Sequence, residues 1–154
     1  MSSNHKDLGI IATKLSNDEK SNQMASFCQE YLSHHPYNQV CFFNSFCDRL
    51  SHDNIPILHL SQAKFFYGNI IVTDIKDLEL CLSFPNLYKI LFFCSSIPWE
   101  NEIRNYKEWE NLFYNDKVQI LAKNQRIYDL FKLLYKEPVI IMEGLDYEEI
   151  QKCL

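Results

Sequence analysis

Two carboxylates in this sequence stand where an acid or a base could work. Asp74 follows the apolar run Ile70-Ile71-Val72 and Thr73, and Glu143 follows Val139-Ile140-Ile141-Met142. A carboxylate at the tip of a buried strand projects beyond the packed core, as a general base must if it is to reach a substrate proton. Either group could instead hold a hydroxyl, and the plainer role for Asp74 is to cap the helix that follows it. Lys14, Ser16 and Asn17 form a second group, just before a helix whose free N–H groups and dipole favour an anion or a sugar hydroxyl. Here too a cap is the plainer role, because Ser16 and Glu19 have the spacing of a capping box. Thr73 and Ser95 add hydroxyls at the ends of two apolar runs. Trp99 offers a flat apolar face on which a sugar or base could stack, or with which its loop could pack onto the core.

What is missing narrows the chemistry further. The chain has three glycines, and a dinucleotide turn of the G-x-G-x-x-G kind uses that many by itself, so such a site is excluded. Any phosphate contact would run through side chains. No G-x-S-x-G, P-loop, H-E-x-x-H or D-x-D element occurs, and the hydrolase, NTPase and zinc-protease readings lose their support. His34 and His35 are adjacent, and His52 has no partner at ligand spacing. All three are expected in surface loops, with no metal or other cofactor required. The six cysteines fall at core positions without a C-x-x-C pair, the pattern of buried free thiols. A formal charge of -5, with aromatic residues at core spacing, gives no expectation of nucleic acid or an anionic membrane as partner. With 47% hydrophobic residues, no membrane-length apolar run and no signal-type leader, residues 1–154 read as one soluble cytoplasmic domain. Its first seven residues are expected to be flexible.

These groups need a scaffold, and the apolar periodicity supplies one. Residues 70–72 and 90–94 (ILFFC) are too short for helices, and strands apolar without alternation belong in a parallel sheet covered on both faces. Between them Ile75, Leu78 and Leu82 share a helical face that ends at Pro85-Asn86. Residues 8–13 (LGIIAT) form a first strand of the same kind. Met24, Phe27, Cys28, Tyr31 and Leu32 then recur with the period of a helix that closes near His34-His35-Pro36. Residues 39–44 (QVCFFN) return as a strand, completing a βαβ unit, and 57–60 (ILHL) suggest a short third strand. Beyond Trp99, Ile103, Tyr106, Leu112 and Phe113 mark a helix and 118–122 (VQILA) a strand. Asn124 caps a helix bearing Ile127, Leu130, Phe131 and Leu134, residues 139–142 (VIIM) form a last strand, and Asp146 with Glu149 opens a final helix. The fold predicted is α/β: an open doubly wound (Rossmann-like), mainly parallel sheet of six to seven strands with helices on both faces. Ligands of such sheets bind beyond the carboxyl ends of the strands, where strand order reverses. That edge comprises residues 13–17, 44–45, 73–74, 95–99, 123–124 and 143–144.

Four stretches, LGIIATKLSNDEKSNQMASFCQEYL, PILHLSQAKFFYGNIIVTD, KILFFCSSIPW and VQILAKNQRIYDLFKLLYKEPVIIMEGLDYEEI, together resemble the amino-terminal Rossmann-like half of GT-B glycosyltransferases. The likeness extends in particular to short glycosyltransferase-like proteins of tailed phages and marine microbes. It rests on strand and turn patterns over most of the chain, with no catalytic signature. The resemblance implies a domain that holds a sugar or glycosylated acceptor, with the nucleotide-sugar donor on a second domain that would begin where this chain ends. The isolated chain is then not expected to be active, and a partner chain or homo-oligomer would complete it. Asp74 and Glu143 are the catalytic candidates; Lys14, Ser16, Asn17, Thr73, Ser95 and Trp99 are the substrate-binding ones. The alternative is a non-catalytic α/β interaction or small-ligand-binding module, with its working surface on a helix face or a sheet edge.

Overall fold

A computed structural model of the chain describes residues 7–12, 15–16, 18–45, 54–100 and 106–154. Of the sequence candidates, Lys14, Asn17, His52, Cys47 and Ile103 lie outside the described residues.

One seven-stranded sheet organises the fold, with every pairing parallel. Its strands are β1 (Leu8–Ile11), β2 (Val40–Asn44), β3 (Ile57–His59), β4 (Gly68–Val72), β5 (Leu87–Cys94), β6 (Val118–Ala122) and β7 (Ile140–Ile141). They lie side by side in the order β3-β2-β1-β4-β5-β6-β7. The chain therefore walks outward from β1 to β3, returns to the centre at β4 and walks outward the other way. Strand order reverses between β1 and β4, beside the first strand. Parallel neighbours need crossovers, supplied by α1 (Glu19–His34), α2 (Ile75–Leu82), α3 (Tyr106–Phe113) and α4 (Gln125–Leu134), with α5 (Tyr147–Cys153) closing the fold.

The reversal puts helices on both faces. Ile10, Phe42, Ile71, Leu91 and Leu121 point to one side, where they meet Met24, Cys28 and Tyr31 of α1 and Tyr147 and Ile150 of α5. Their neighbours Ile11, Phe43, Ile70, Phe92 and Ile120 point to the other side, against Leu78 of α2, Trp109 and Phe113 of α3 and Phe131 of α4. A strand buried on both faces cannot alternate polar and apolar residues, which is why β1, β2 and β4 are buried throughout. Withdrawing each such side chain from water contributes roughly 1.5–3 kcal/mol, set against the entropy of ordering the chain. Both edges of the sheet are short. β3 has three residues, and β7 has two, extended by hydrogen bonds from Val139 N to Ile120 O and Met142 N to Ala122 O, both 2.9 Å. Among the described residues no helix is long and apolar enough to cross a membrane.

Three expected helix caps form. Asp74 accepts from Lys76 N at 2.8 Å, Asn124 from Ile127 N at 3.0 Å and Asp146 from Glu149 N at 3.0 Å. The start of α1 departs from expectation, because Asp18 and not Ser16 is its cap. The Asp18 carboxylate accepts from Ser21 N at 2.7 Å, and Ser16 donates its hydroxyl to the other oxygen of Asp18. A charged acceptor at the positive end of the helix outcompetes a hydroxyl. His34 and His35, expected in a surface loop, instead close α1 against α5. The His34 ring stacks on Tyr147 with centroids 4.4 Å apart, and His35 Nε2 lies 3.1 Å from the Tyr147 hydroxyl.

Gly68 marks an irregularity in the register between β4 and β5, and its φ of 156° is one that side chains rarely adopt. A Cβ there would come within 2.5 Å of the Asp7 carbonyl. That contact is tight because Asp7 ties three strands together: its carbonyl accepts from Asn69 N and its carboxylate from Gln39 N, each at 2.9 Å. The five described cysteines are free and buried. Burial pushes the thiols of Cys41 and Cys94 up to about 12 and raises those of Cys28 and Cys81 further.

Gly68→Ala is expected to cost about 2–3 kcal/mol, a fall in Tm of roughly 4–10 °C. Gly144→Ala, whose Cβ would come no nearer than 4.0 Å to Gln23 Oε1, should leave Tm almost unchanged. Thermal denaturation of the two variants compares them, and equal effects would remove strain at Gly68 as an explanation. In a Cys47→Ser background, native protein at about pH 8 should give almost no reaction with a thiol-specific disulfide reagent until it is denatured. Release of even one fast equivalent would show that a thiol in the core is accessible.

Candidate functional site

The carboxyl ends of the strands carry a concavity. A crevice of about 440 Å³ opens there, on the β4 side of the reversal and beneath the first turns of α1. Its position follows from topology: at the reversal the crossovers leave toward opposite faces, and an open α/β sheet takes its ligands beyond the strand ends beside that point. Thr73 ends β4, Ser95 follows β5, Lys123 follows β6, and Glu143 with Gly144 follows β7; all five line the crevice. From α1 come Asp18, Glu19, Lys20, Gln23 and Met24. Phe93 and Met24 are almost wholly buried and give the crevice an apolar floor, while hydroxyl, amide and charged groups occupy its walls.

A smaller hollow of about 140 Å³ lies on the other side of the same strand ends, lined by Asp74, Cys94, Ser96 and Pro98. Thr73 and Ser95 belong to both concavities and form the partition between them. Asp74 is exposed in this hollow, with one carboxylate oxygen already engaged as the cap of α2. Cys94 donates its thiol to Ser96 O at 2.9 Å, and burial holds it protonated at neutral pH, so it does not supply a nucleophile there.

The structure thus gathers Thr73, Ser95 and Glu143 into one cavity. Asp74 stands next door, and Glu143 reaches the crevice with no hydrogen bond or ion pair from its side chain to any described residue. Ser16 lines neither concavity. Its hydroxyl is spent on Asp18, and its N–H donates to Ser21 Oγ at 3.2 Å. Trp99 is likewise absent from both linings. It packs edge-on to Phe131 at 5.4 Å and to Trp109 at 6.3 Å, with Tyr135 at 5.6 Å. Of its two sequence readings, the packing one describes the structure. Lys14 and Asn17 belong to the loop after β1, outside the described residues.

Sequence reasoning missed Phe93, Gln23, Met24, Lys20 and Leu145. Phe93 could have been found from alternation along β5, since Leu91 and Phe93 share a face. The α1 residues could not, because helical periodicity says which side of α1 is apolar and not how far its polar first turns overhang the strand ends. Among the described residues no three His, Cys, Asp or Glu side chains group as metal ligands do. Among the described residues the lining holds three carboxylates and two ammonium groups.

Trp99→Ala is expected to lower stability by about 2–3 kcal/mol through loss of its ring contacts, while ligands of the crevice bind as before. Chemical denaturation and a ligand titration on the same variant test this; lost binding at unchanged stability would restore Trp99 to the site.

Comparison with protein-family models, with curated proteins and with solved structures finds no match for this chain.

Proposed function

We propose that this domain binds a sugar in the crevice at the carboxyl edge of the sheet, as the acceptor-side half of a GT-B-like glycosyltransferase. The observation that carries the proposal is the amphipathic lining. Hydroxyls of Thr73 and Ser95 and the amide of Gln23 stand over the apolar floor of Phe93 and Met24. A pyranose ring has the same split character, with hydroxyls around its rim and C–H groups on its faces, so both parts of the lining find a partner. The volume of about 440 Å³ lies within the range of roughly 300–1,000 Å³ usual for small-molecule sites. A nucleotide diphosphate fits poorly with the described lining residues, which have an excess of carboxylates and a single glycine, Gly144. In a transferase the nucleotide-sugar would therefore come from a second α/β domain. Glu143 would take the proton from the acceptor hydroxyl as its oxygen attacks the anomeric carbon of the donor sugar, whose bond to the nucleoside diphosphate breaks, the diphosphate leaving with the bonding pair on the donor domain.

A non-catalytic sugar-binding module is the second reading, favoured by the engagement of Asp74 as a helix cap, which leaves Glu143 without a carboxylate counterpart at the other strand end. The two readings separate on turnover. Glu143→Gln should retain sugar binding in both and abolish transfer only in the enzyme, assayed with a donor domain present.

The binding claim is tested first, by calorimetric titration with neutral mono- and disaccharides and with free UDP, GDP and CMP. Saccharide binding in the millimolar range or tighter is expected, with no response to the nucleotides. Gly144→Trp should block binding without unfolding the protein, because a Cβ at Gly144 would approach only Gln23 Oε1, at an unstrained 4.0 Å. Removing hydroxyls by Thr73→Val and Ser95→Ala should weaken affinity by about fivefold to tenfold each, as expected for one lost hydrogen bond. Failure of every saccharide to bind, or binding indifferent to Gly144→Trp, would sink the proposal.

A further inference from the structure

The crevice does not close on its α1 side. Glu19, Gln23, Glu143, Gly144 and Leu145 also line a second, shallower groove of about 870 Å³, which continues between α1 and the β7–α5 connection as far as Glu30. At a helical rise of 1.5 Å per residue, the interval from Glu19 to Glu30 runs about 16 Å along α1. No single sugar ring spans that length. The two concavities form one continuous depression, deep and mixed in character at the strand ends and open along the helix.

Its chemistry changes along that length. Lys20 and Lys123 line only the deep end. The outer groove carries Glu19, Glu30 and Glu143, and no Lys, Arg or His is among its described lining residues. None of these three carboxylates is ion-paired with a described residue, and Glu19 accepts only from the neutral Gln23 amide, at 3.3 Å. Asn22, Gln23 and Ser26 add neutral amide and hydroxyl groups to the lining. The described lining thus carries carboxylates without a cation, and uncompensated carboxylates along a concave surface concentrate a negative potential. What fits is a ligand that brings positive charge and N–H groups.

We infer that the ligand is an oligosaccharide bearing free amino groups, with one sugar seated in the crevice and the following residues laid along α1, their ammonium groups toward Glu30, Glu19 and Glu143. This rests on the sugar-binding reading of the crevice and adds to it both chain length and charge. Anionic glycans are rejected by the same carboxylates. Glu30 is the discriminating position, because it lines the outer groove and not the crevice.

The test is calorimetric titration of wild type and Glu30→Gln with glucosamine oligomers of increasing length, with their N-acetylated counterparts, with galacturonate oligomers and with an oligolysine peptide. Affinity for the amino form should rise about tenfold or more from monomer to trimer. It should exceed that for the N-acetylated trimer by a similar factor, and the advantage should shrink as salt is added. Glu30→Gln, an exposed substitution unlike a core change, should lower trimer affinity by about threefold or more and leave monomer affinity unaltered. Equal affinity for monomer and trimer, equal affinity for amino and N-acetylated forms, or tighter binding of oligolysine than of the trimer would overturn the inference while leaving the crevice reading in place. Absence of binding by every saccharide overturns both.

Discussion

Parallel pairing of β1 with β4 is the constraint on which the rest of this structure depends. Leu8 to Ile11 run alongside Asn69 to Val72, strands separated by more than fifty residues of intervening chain. Two parallel neighbours cannot be joined by a hairpin, so each needs a crossover, and each crossover must cover one apolar face. With α1 and α5 on one side and α2, α3 and α4 on the other, both faces of the central strands are dry. The crevice opens at the carboxyl edge, on the β4 side of the pair.

The same edge is where helices begin, and capping competes with chemistry for its polar side chains. Asp18, Asp74, Asn124 and Asp146 stand at strand-to-helix connections and each satisfies a backbone N–H of the next helix. A short connection leaves few polar residues over once the cap is filled. Glu143 escapes because Asp146, three residues later, takes the capping role in the β7–α5 connection. That division of labour leaves Glu143 available to the crevice and keeps Asp74 in a structural post. Scarcity of glycine acts in the same direction. Where backbone cannot approach a ligand closely, recognition falls to side chains, and side chains offer hydroxyls, amides and carboxylates more readily than a phosphate cradle.

Aromatic residues hold the connections in place. Trp99, Trp109, Phe113, Phe131 and Tyr135 form one continuous packing of rings between the β5–α3 segment and α3 and α4. On the opposite face Tyr31, His34, His35 and Tyr147 join the end of α1 to the start of α5. This second junction adjoins the outer groove, since Tyr31 follows Glu30 and the His34 ring lies 2.9 Å from Glu30 O.

The sequence alone determined the strands, the helices and the edge of the sheet that matters. Continuous apolar runs such as 70–72 and 90–94 can be satisfied only by burial on both faces, and helical periodicity is local, so neither depends on the rest of the chain. Thr73, Ser95, Lys123, Glu143 and Gly144 follow as strand-end residues, and all five line the crevice. Tertiary structure decided which candidates share a cavity, and it separated Asp74 and Trp99 from the main crevice while adding Gln23, Met24 and Phe93 to it. It also chose Asp18 over Ser16 as the cap of α1. The physical reason is one of range. Burial and periodicity are set by neighbours in sequence, whereas a concavity is made by side chains up to about 130 positions apart, from Asp18 to Leu145, and their meeting depends on strand order and on how α1 lies across the sheet.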